Sequence, residues 1–225
     1  MTNKNSERED PKARVEWEGM RNLRLSLVLS AAVLLLGAGS ARAISFEFTS
    51  DHCTGGCGTA PFGNVTLDQN GANVDVTVHL FDPNFFVKTG AVDFQAFKFN
   101  AVDVVLGDIT VDQTVPLQTL AAQTGAFNGN GTGTFAFGIA CTTCGNGSSD
   151  AFNNDIVFHV AAAAIADLTA GNNLGNIFVA DILSDAAGGG TGNTGPVDVT
   201  VPEPGTALLF CLGLVGLTIA GRRRD

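Results

Sequence analysis

Residues 74–80 read V-D-V-T-V-H-L, and this stretch decides the fold class. Apolar and polar residues alternate with a period of two, which in a β-strand places the apolar side chains on one face. Further strand-like runs, separated by clusters of Gly, Asn and Asp, lie at 94–99, 102–106, 109–111, 134–139, 156–160 and 177–183. Many short strands joined by such turns predict an all-β domain, and we expect an antiparallel β-sandwich of jelly-roll-like form.

Three other segments of the chain need separate interpretation. Residues 161–168 read A-A-A-A-I-A-D-L, which favours a helix by propensity, but their strand-like flanks lead us to predict a strand. Residues 114–125 are expected to form a loop or a short helical turn. Residues 186–200 begin with a Gly-rich run, so we predict a flexible linker there, after a β-domain at residues 44–185.

The predicted β-domain is strongly acidic. Between Ile44 and Thr200 the sequence has 15 Asp and Glu residues against two basic residues, Lys88 and Lys98, which is a net charge of −13. Because phosphate backbones would repel this charge, we expect no nucleic-acid partner. The same region has neither Trp nor Tyr, on which glycan-binding sites usually stack sugar rings, and this counts against a strong lectin.

The N-terminal segment has the order of features that is typical of a signal peptide. Residues 1–19 are polar and of mixed charge, and translation is expected to begin at Met20. Two arginines and a 12-residue apolar run at 25–36 follow, and the segment ends in an A-x-A motif formed by Ala41 and Ala43. We therefore predict that residues 1–43 are an extension plus signal peptide, and that signal peptidase cleaves after Ala43.

The C-terminal segment, residues 201–225, has three features in order. A Pro-Glu-Pro motif comes first, an apolar run at 205–221 follows, and a cluster of arginines precedes the last residue. As a helix, the apolar run would be roughly 25 Å long and is predicted to span the inner membrane. The arginines would hold the C-terminus in the cytoplasm by the positive-inside rule. The residues concerned are Pro202, Glu203, Pro204, Arg222, Arg223 and Arg224.

This tail resembles the PEP-CTERM protein-sorting signal, and the same kind of tail is also labelled an ice-binding-protein C-terminal motif. The second label implies no ice binding. The resemblance covers about residues 201–225, and it implies that an exosortase, a membrane cysteine protease of Gram-negative bacteria, recognises Pro202, Glu203 and Pro204. It also implies export to the cell surface or the medium. Bacteria with this system often make exopolysaccharide or biofilm matrix, which is a further expected partner.

Four of the five cysteines lie in the predicted β-domain, as the close pairs Cys53 with Cys57 and Cys141 with Cys144. An even number of cysteines in an exported domain favours disulfides, and we expect the two local pairings, although a crossed pairing is also compatible with the sequence. A four-thiolate zinc site and a redox-active C-x-x-C motif are the alternatives. Cys211 lies in the apolar run of the tail and is expected to be a small apolar residue there.

Other candidate chemistry has weak support in the sequence. The oxygen-bearing side chains near 145–155 favour polar turns over a Ca²⁺ site, and no catalytic or phosphate-binding motif occurs. We therefore predict no enzyme activity, no metal site and no cofactor. The side chains considered are Asn146, Asp150, Asn153, Asn154, Asp155, His52, His79 and His159.

Three hypotheses for function follow from these patterns. The first is a non-enzymatic surface or extracellular-matrix protein, processed or anchored through an exosortase-type system. The second is an extracellular module that binds glycan or Ca²⁺. The third is a secreted hydrolase with a pair of acidic residues, against which the near absence of Glu in the domain counts.

Overall fold

The computed structural model describes residues 43–88, 93–112, 118–184 and 192–200. They form thirteen strands, in chain order β1 (Ala43–Glu47), β2 (Ser50–Asp51), β3 (Gly63–Asn70), β4 (Asn73–Leu80), β5 (Phe85–Lys88), β6 (Phe97–Phe99), β7 (Ile109–Val111), β8 (Leu120–Asn128), β9 (Thr134–Cys141), β10 (Gly147–Phe152), β11 (Ile156–Val160), β12 (Asn176–Leu183) and β13 (Thr194–Thr200). Helical structure in these ranges consists of a 3₁₀ turn at Leu106–Asp108 and one α-helical turn, α1, at Ile165–Leu168.

The strands form two sheets, and within each sheet all neighbouring strands pair antiparallel. Sheet A has the order β1-β3-β4-β11-β7. In sheet B, β12 is central: β13 covers one of its edges from Asn176 to Leu183, so β5 and β6 share the other edge. Beyond them lie β10, β9 and β8, and β2 adds to the free edge of β13.

Sheet A is built around the alternating stretch that was used to predict the fold. The side chains of Val74, Val76 and Val78 are completely buried, while the polar residues between them face outward and are half-buried or exposed. A two-residue turn joins β3 to β4, and its first residue, Gly71, has φ +62°. This positive φ suits the hairpin turns that match the twist of the two strands, and glycine adopts it without steric cost.

The two sheets pack face to face through a layer of phenylalanine rings. The ring of Phe158 on β11 of sheet A lies 6.1 Å from that of Phe97 and 5.2 Å from that of Phe99, both on β6 of sheet B. All three side chains are completely buried. The all-β sandwich is therefore confirmed. The strand count, five and eight in the two sheets, exceeds the eight strands of a jelly roll.

Three of the segment predictions in the middle of the chain were wrong. Residues 102–106 are not a strand: they form a bend that leads into the 3₁₀ turn at Leu106–Asp108. Residues 161–168 are not a strand: after a turn with Ala162 at φ +52°, the chain forms α1, and Asp167 accepts a hydrogen bond from the N–H of Ala164. Helical propensity decided the local structure there because no neighbouring strand pairs with the segment. Conversely, the second half of the predicted loop at 114–125 belongs to β8, which pairing with β9 stabilises despite its Ala and Gly content.

The linker predicted at residues 186–200 was also wrong at its C-terminal end. Residues 194–200 form β13, which pairs with β12 along its whole length. Five of its seven residues are buried. The domain therefore extends to Thr200, and the Gly-rich run precedes its last strand.

Two other predicted segments fall outside the described residues. They are the signal peptide up to Arg42, with Ala41 of the cleavage motif, and the sorting tail with its apolar run at 205–221. Within the described ranges, no helix is long and apolar enough to cross a membrane.

We expect Phe158→Ala to lower the free energy of unfolding by about 3–5 kcal/mol, because it removes the ring that joins the two sheets and leaves a cavity. Val105→Ala, at a position where 64% of the side chain is exposed, should change it by less than about 0.5 kcal/mol. Urea unfolding of the two variants and the wild type measures both effects. Equal stability of the two variants would contradict the assigned role of Phe158.

Candidate functional site

The structure contains two disulfides, and both join neighbouring cysteines. Cys53 is bonded to Cys57, and Cys141 to Cys144, with Cα–Cα distances of 5.3 and 5.4 Å. The local pairings favoured by the sequence are thus the ones found. All four sulfurs are covalently engaged, so none remains as a thiolate for zinc.

The Cys53–Cys57 loop packs against the start of β13. A Cβ atom added at Gly195 would lie 2.6 Å from Cα of Cys53, so only glycine allows the two backbones to approach this closely. Asn193 donates a hydrogen bond from Nδ2 to the carbonyl oxygen of Gly56. The disulfide loop therefore supports the strand that ends the domain.

The end of β13 is the point from which the sorting tail leaves the domain. Thr200 is the last residue of the strand, and Pro202 follows two residues later, a distance of at most about 7 Å along the chain. A groove beside this end is lined by Ser45, Phe46, Glu47, Thr49, Val199 and Thr200. Among these described lining residues, Glu47 alone has an ionisable side chain.

Each of the three histidines is paired with an aspartate. His52, in the loop after β2, lies 2.9 Å from Asp198 on β13. The other two pairs are on the outer face or rim of sheet A and are partly exposed, at 2.7 Å for His79 with Asp155 and 2.9 Å for His159 with Asp112. His52 therefore contacts a carboxylate rather than joining the neighbouring cysteine in a metal site.

The two carboxylates near residues 145–155, those of Asp150 and Asp155, have different hydrogen-bond partners. Asp150, on β10, accepts a hydrogen bond from the N–H of Gly145, while Asp155 contacts His79. Across the described part of the chain, no group of three or more His, Cys, Asp or Glu side chains is arranged to hold a metal ion.

The most unusual chemistry in the domain is a buried charged cluster on the outer face of sheet B. The side chain of Lys98 is completely buried, and its Nζ lies 2.9 Å from Oδ2 of Asp181 and 3.7 Å from Oδ2 of Asp93. Lys98 is on β6 and Asp181 on the adjacent β12. Water is thus excluded from an ammonium group and two carboxyl groups that lie together.

Sequence reasoning missed this cluster, although the sequence carried a signal for it. Residues 94–99 were predicted as a strand, and Phe97 and Phe99 face the core, so Lys98 must face the other side of sheet B. The burial of that second face could not be read from the alternation. A lysine inside an apolar strand, in a domain with only one other lysine, is the feature that could have drawn attention to it.

Asp93 is the least satisfied member of the cluster. Its carboxylate lies near the backbone N–H groups of Phe94 and Gln95 and the amine of Lys98, but none of these contacts has the geometry of a full hydrogen bond. Burial raises the pKa of Asp93 above its usual range, and the positive charge of Lys98 opposes this shift. Nearby, Gln95 donates a hydrogen bond to Gln123 and lies so close over Gly138 that a Cβ there would clash with its side chain. The segment before β6 therefore covers part of this face.

The close packing at Gly195 gives a testable expectation. Gly195→Ala should lower the free energy of unfolding by about 1–3 kcal/mol, because the new methyl group forces the Cys53–Cys57 loop away from β13. Gly107→Ala is the matched control, since a Cβ there meets no atom within 4 Å. Thermal unfolding under non-reducing conditions measures both. A Gly195→Ala protein as stable as the Gly107→Ala protein would contradict the close contact.

Comparison with known proteins adds one finding. No curated protein and no solved structure shows significant similarity to this chain. The family model of the PEP-CTERM protein-sorting motif matches residues 200–224. The match begins at the residue that ends β13, and it supports export to the cell surface through an exosortase-type system. The chain therefore carries a PEP-CTERM sorting motif directly after a disulfide-containing all-β domain.

Proposed function

We propose that this protein is a non-enzymatic component of the bacterial cell surface or extracellular matrix. Its β-domain is the exported part, and residues 201–225 are the segment that an exosortase-type protease recognises and removes. The observation that carries the proposal is the PEP-CTERM match at residues 200–224. The expected association with exopolysaccharide or biofilm matrix rests on the same motif.

The two disulfides support export independently of the tail. Disulfides form and persist in oxidising compartments and are rare in the bacterial cytoplasm. Both bonds close short loops, of four and three residues' separation, so they constrain loop shape more than they restrict the unfolded chain. An exported chain with pinned loops suits a structural role outside the cell.

Two grooves on the described part of the chain are consistent with the non-enzymatic assignment. Among its described lining residues, the groove beside β13 has Glu47 as its one carboxylate. A second groove is lined by residues 57–59, 61–62 and 82–84, of which Asp82 alone carries a carboxylate. The described lining of these two grooves contains neither the pair of acids that a glycosidase needs nor a nucleophile beside a histidine.

The processing step can be tested with variants of the sorting motif. In the native host, the mature wild-type chain should begin at Ile44 and end near Pro202–Gly205, as read from the intact mass of surface and medium fractions. Glu203→Ala should leave a precursor in the membrane fraction that retains the three C-terminal arginines, because the recognition motif is broken.

Glu47→Ala provides the matched control, since Glu47 is the only glutamate between Ile44 and Thr200 and is exposed on β1. Its processing should equal that of the wild type. If Glu203→Ala is trimmed at the same rate as this control, exosortase recognition through the Pro-Glu-Pro motif is wrong. If surface-released wild-type protein still ends in Arg222-Arg223-Arg224-Asp225, removal of the tail is wrong.

A glycan- or Ca²⁺-binding module is the second candidate, and the polar side chains on the outer face of sheet A are its candidate contact surface. Thr66 and Thr77 stand opposite each other on β3 and β4, and Asp75 stands between Asp68 and His159 in the next row. These side chains form an open polar surface without aromatic rings. Calorimetric titration with a panel of extracellular glycans, with and without Ca²⁺, separates the candidates: heat changes that Thr77→Val abolishes favour binding, and their absence favours the structural role.

A further inference from the structure

Lys98, Asp181 and Asp93 form a cluster that export and sorting do not use. The side chains of the two aspartates are 2% and 7% exposed, and that of Lys98 is completely buried. An ion pair of this kind gains little over an apolar pair of the same volume, because both charges lose their hydration. The cluster therefore has an unusual composition for a purely structural contact.

The same arrangement provides the conditions for an amide bond to form. A lysine amine and a carboxyl group condense when the amine is unprotonated, the two groups are held in contact, and water is kept away. The side chains of Lys98 and Asp181 are 0% and 2% exposed, so the structure keeps water away from both groups. The Nζ–Oδ2 distance of 2.9 Å holds the amine in contact with the carboxyl group of Asp181.

We propose that Lys98 and Asp181 form an intramolecular isopeptide bond that covalently joins β6 to β12. Both residues are on the outer face of sheet B: Lys98 is in register with Val179, two residues before Asp181 on the same strand. The bond therefore links side chains that neighbouring strands already place together.

The reaction balances without any external reagent. The ammonium group of Lys98 gives a proton to the Asp93 carboxylate, and the free amine attacks Cγ of Asp181 to form the new C–N bond. One C–O bond of Asp181 then breaks, and this oxygen leaves as water together with the two protons that the nitrogen has lost. Asp93 carries these protons and ends in its starting state.

Asp93 suits the role of proton carrier because of its surroundings. Its Oδ2 lies 3.7 Å from Nζ of Lys98, and both of its oxygens are buried and make no contact that has the geometry of a full hydrogen bond. The raised pKa of its carboxyl group makes it a better proton acceptor than an ordinary aspartate. It is therefore the catalytic residue of this reaction.

The test is the intact mass of the exported full chain after complete reduction of its disulfides. We expect the wild-type mass to be lower by one water molecule than the mass calculated from its observed termini. Protease digestion should then release a branched peptide that joins the segment containing Lys98 to the one containing Asp181. Lys98→Arg keeps the positive charge but lacks the nucleophilic amine, so its mass should be the calculated one.

Asp93→Asn should fold and retain the ion pair between Lys98 and Asp181, but it should contain the unlinked form in most molecules, because the proton carrier is missing. Asp155→Asn is the matched control: Asp155 contacts His79 on the other sheet, and this variant should lose one water as the wild type does.

A wild-type protein with its full calculated mass would overturn the proposal and leave the cluster as a buried ion pair. A water loss that persists in Lys98→Arg would also overturn it, since the loss would then come from another position. Full linkage in Asp93→Asn would overturn the role of Asp93 alone. None of these results depends on how the C-terminal tail is processed, because each mass is compared with that of the observed termini.

Discussion

The pairing of β12 on both of its edges is the constraint on which the rest of the domain depends. β13 holds one edge along its whole length, and β5 and β6 together hold the other. Seven of the eight β12 residues are buried, so this strand is covered on both faces as well as on both edges. The phenylalanine layer against sheet A, the lysine cluster on the opposite face and the strand that carries the sorting motif are all attached to it.

The sequence predicted sheet A better than sheet B, for a physical reason. Where one face of a strand is polar and outward, as in 74–80, alternation identifies both the strand and its buried face. Sheet B is buried on parts of both faces, so β12 is a nearly continuous apolar run. Such a run does not show which of its side chains face the other sheet. β13 contains Gly195 and Pro196, which are typical of turns, and only its pairing with β12 and the close approach of Cys53 explain them.

The features of the candidate site could likewise be predicted only where they are local in sequence. The cysteine pairs and the sorting motif are local in sequence, so their spacing was sufficient to predict them. The Lys98–Asp181 contact spans 83 positions and depends on which strands are neighbours. No local pattern contains that information. The three Asp–His contacts are also non-local, so their partners could not be predicted from the sequence.

The position of the sorting motif determines which strands carry a force that is applied at the C-terminal end of the domain. Because the match to the sorting motif begins at Thr200, the last residue of β13, a force applied at Thr200 acts first on the hydrogen bonds between β13 and β12. From β12 it passes to β6, where Lys98 and Asp181 meet. An ion pair at this point yields when the strands separate, whereas an amide bond does not. A covalent link between β6 and β12 would therefore lie on the path by which a protein held at its C-terminal end is loaded.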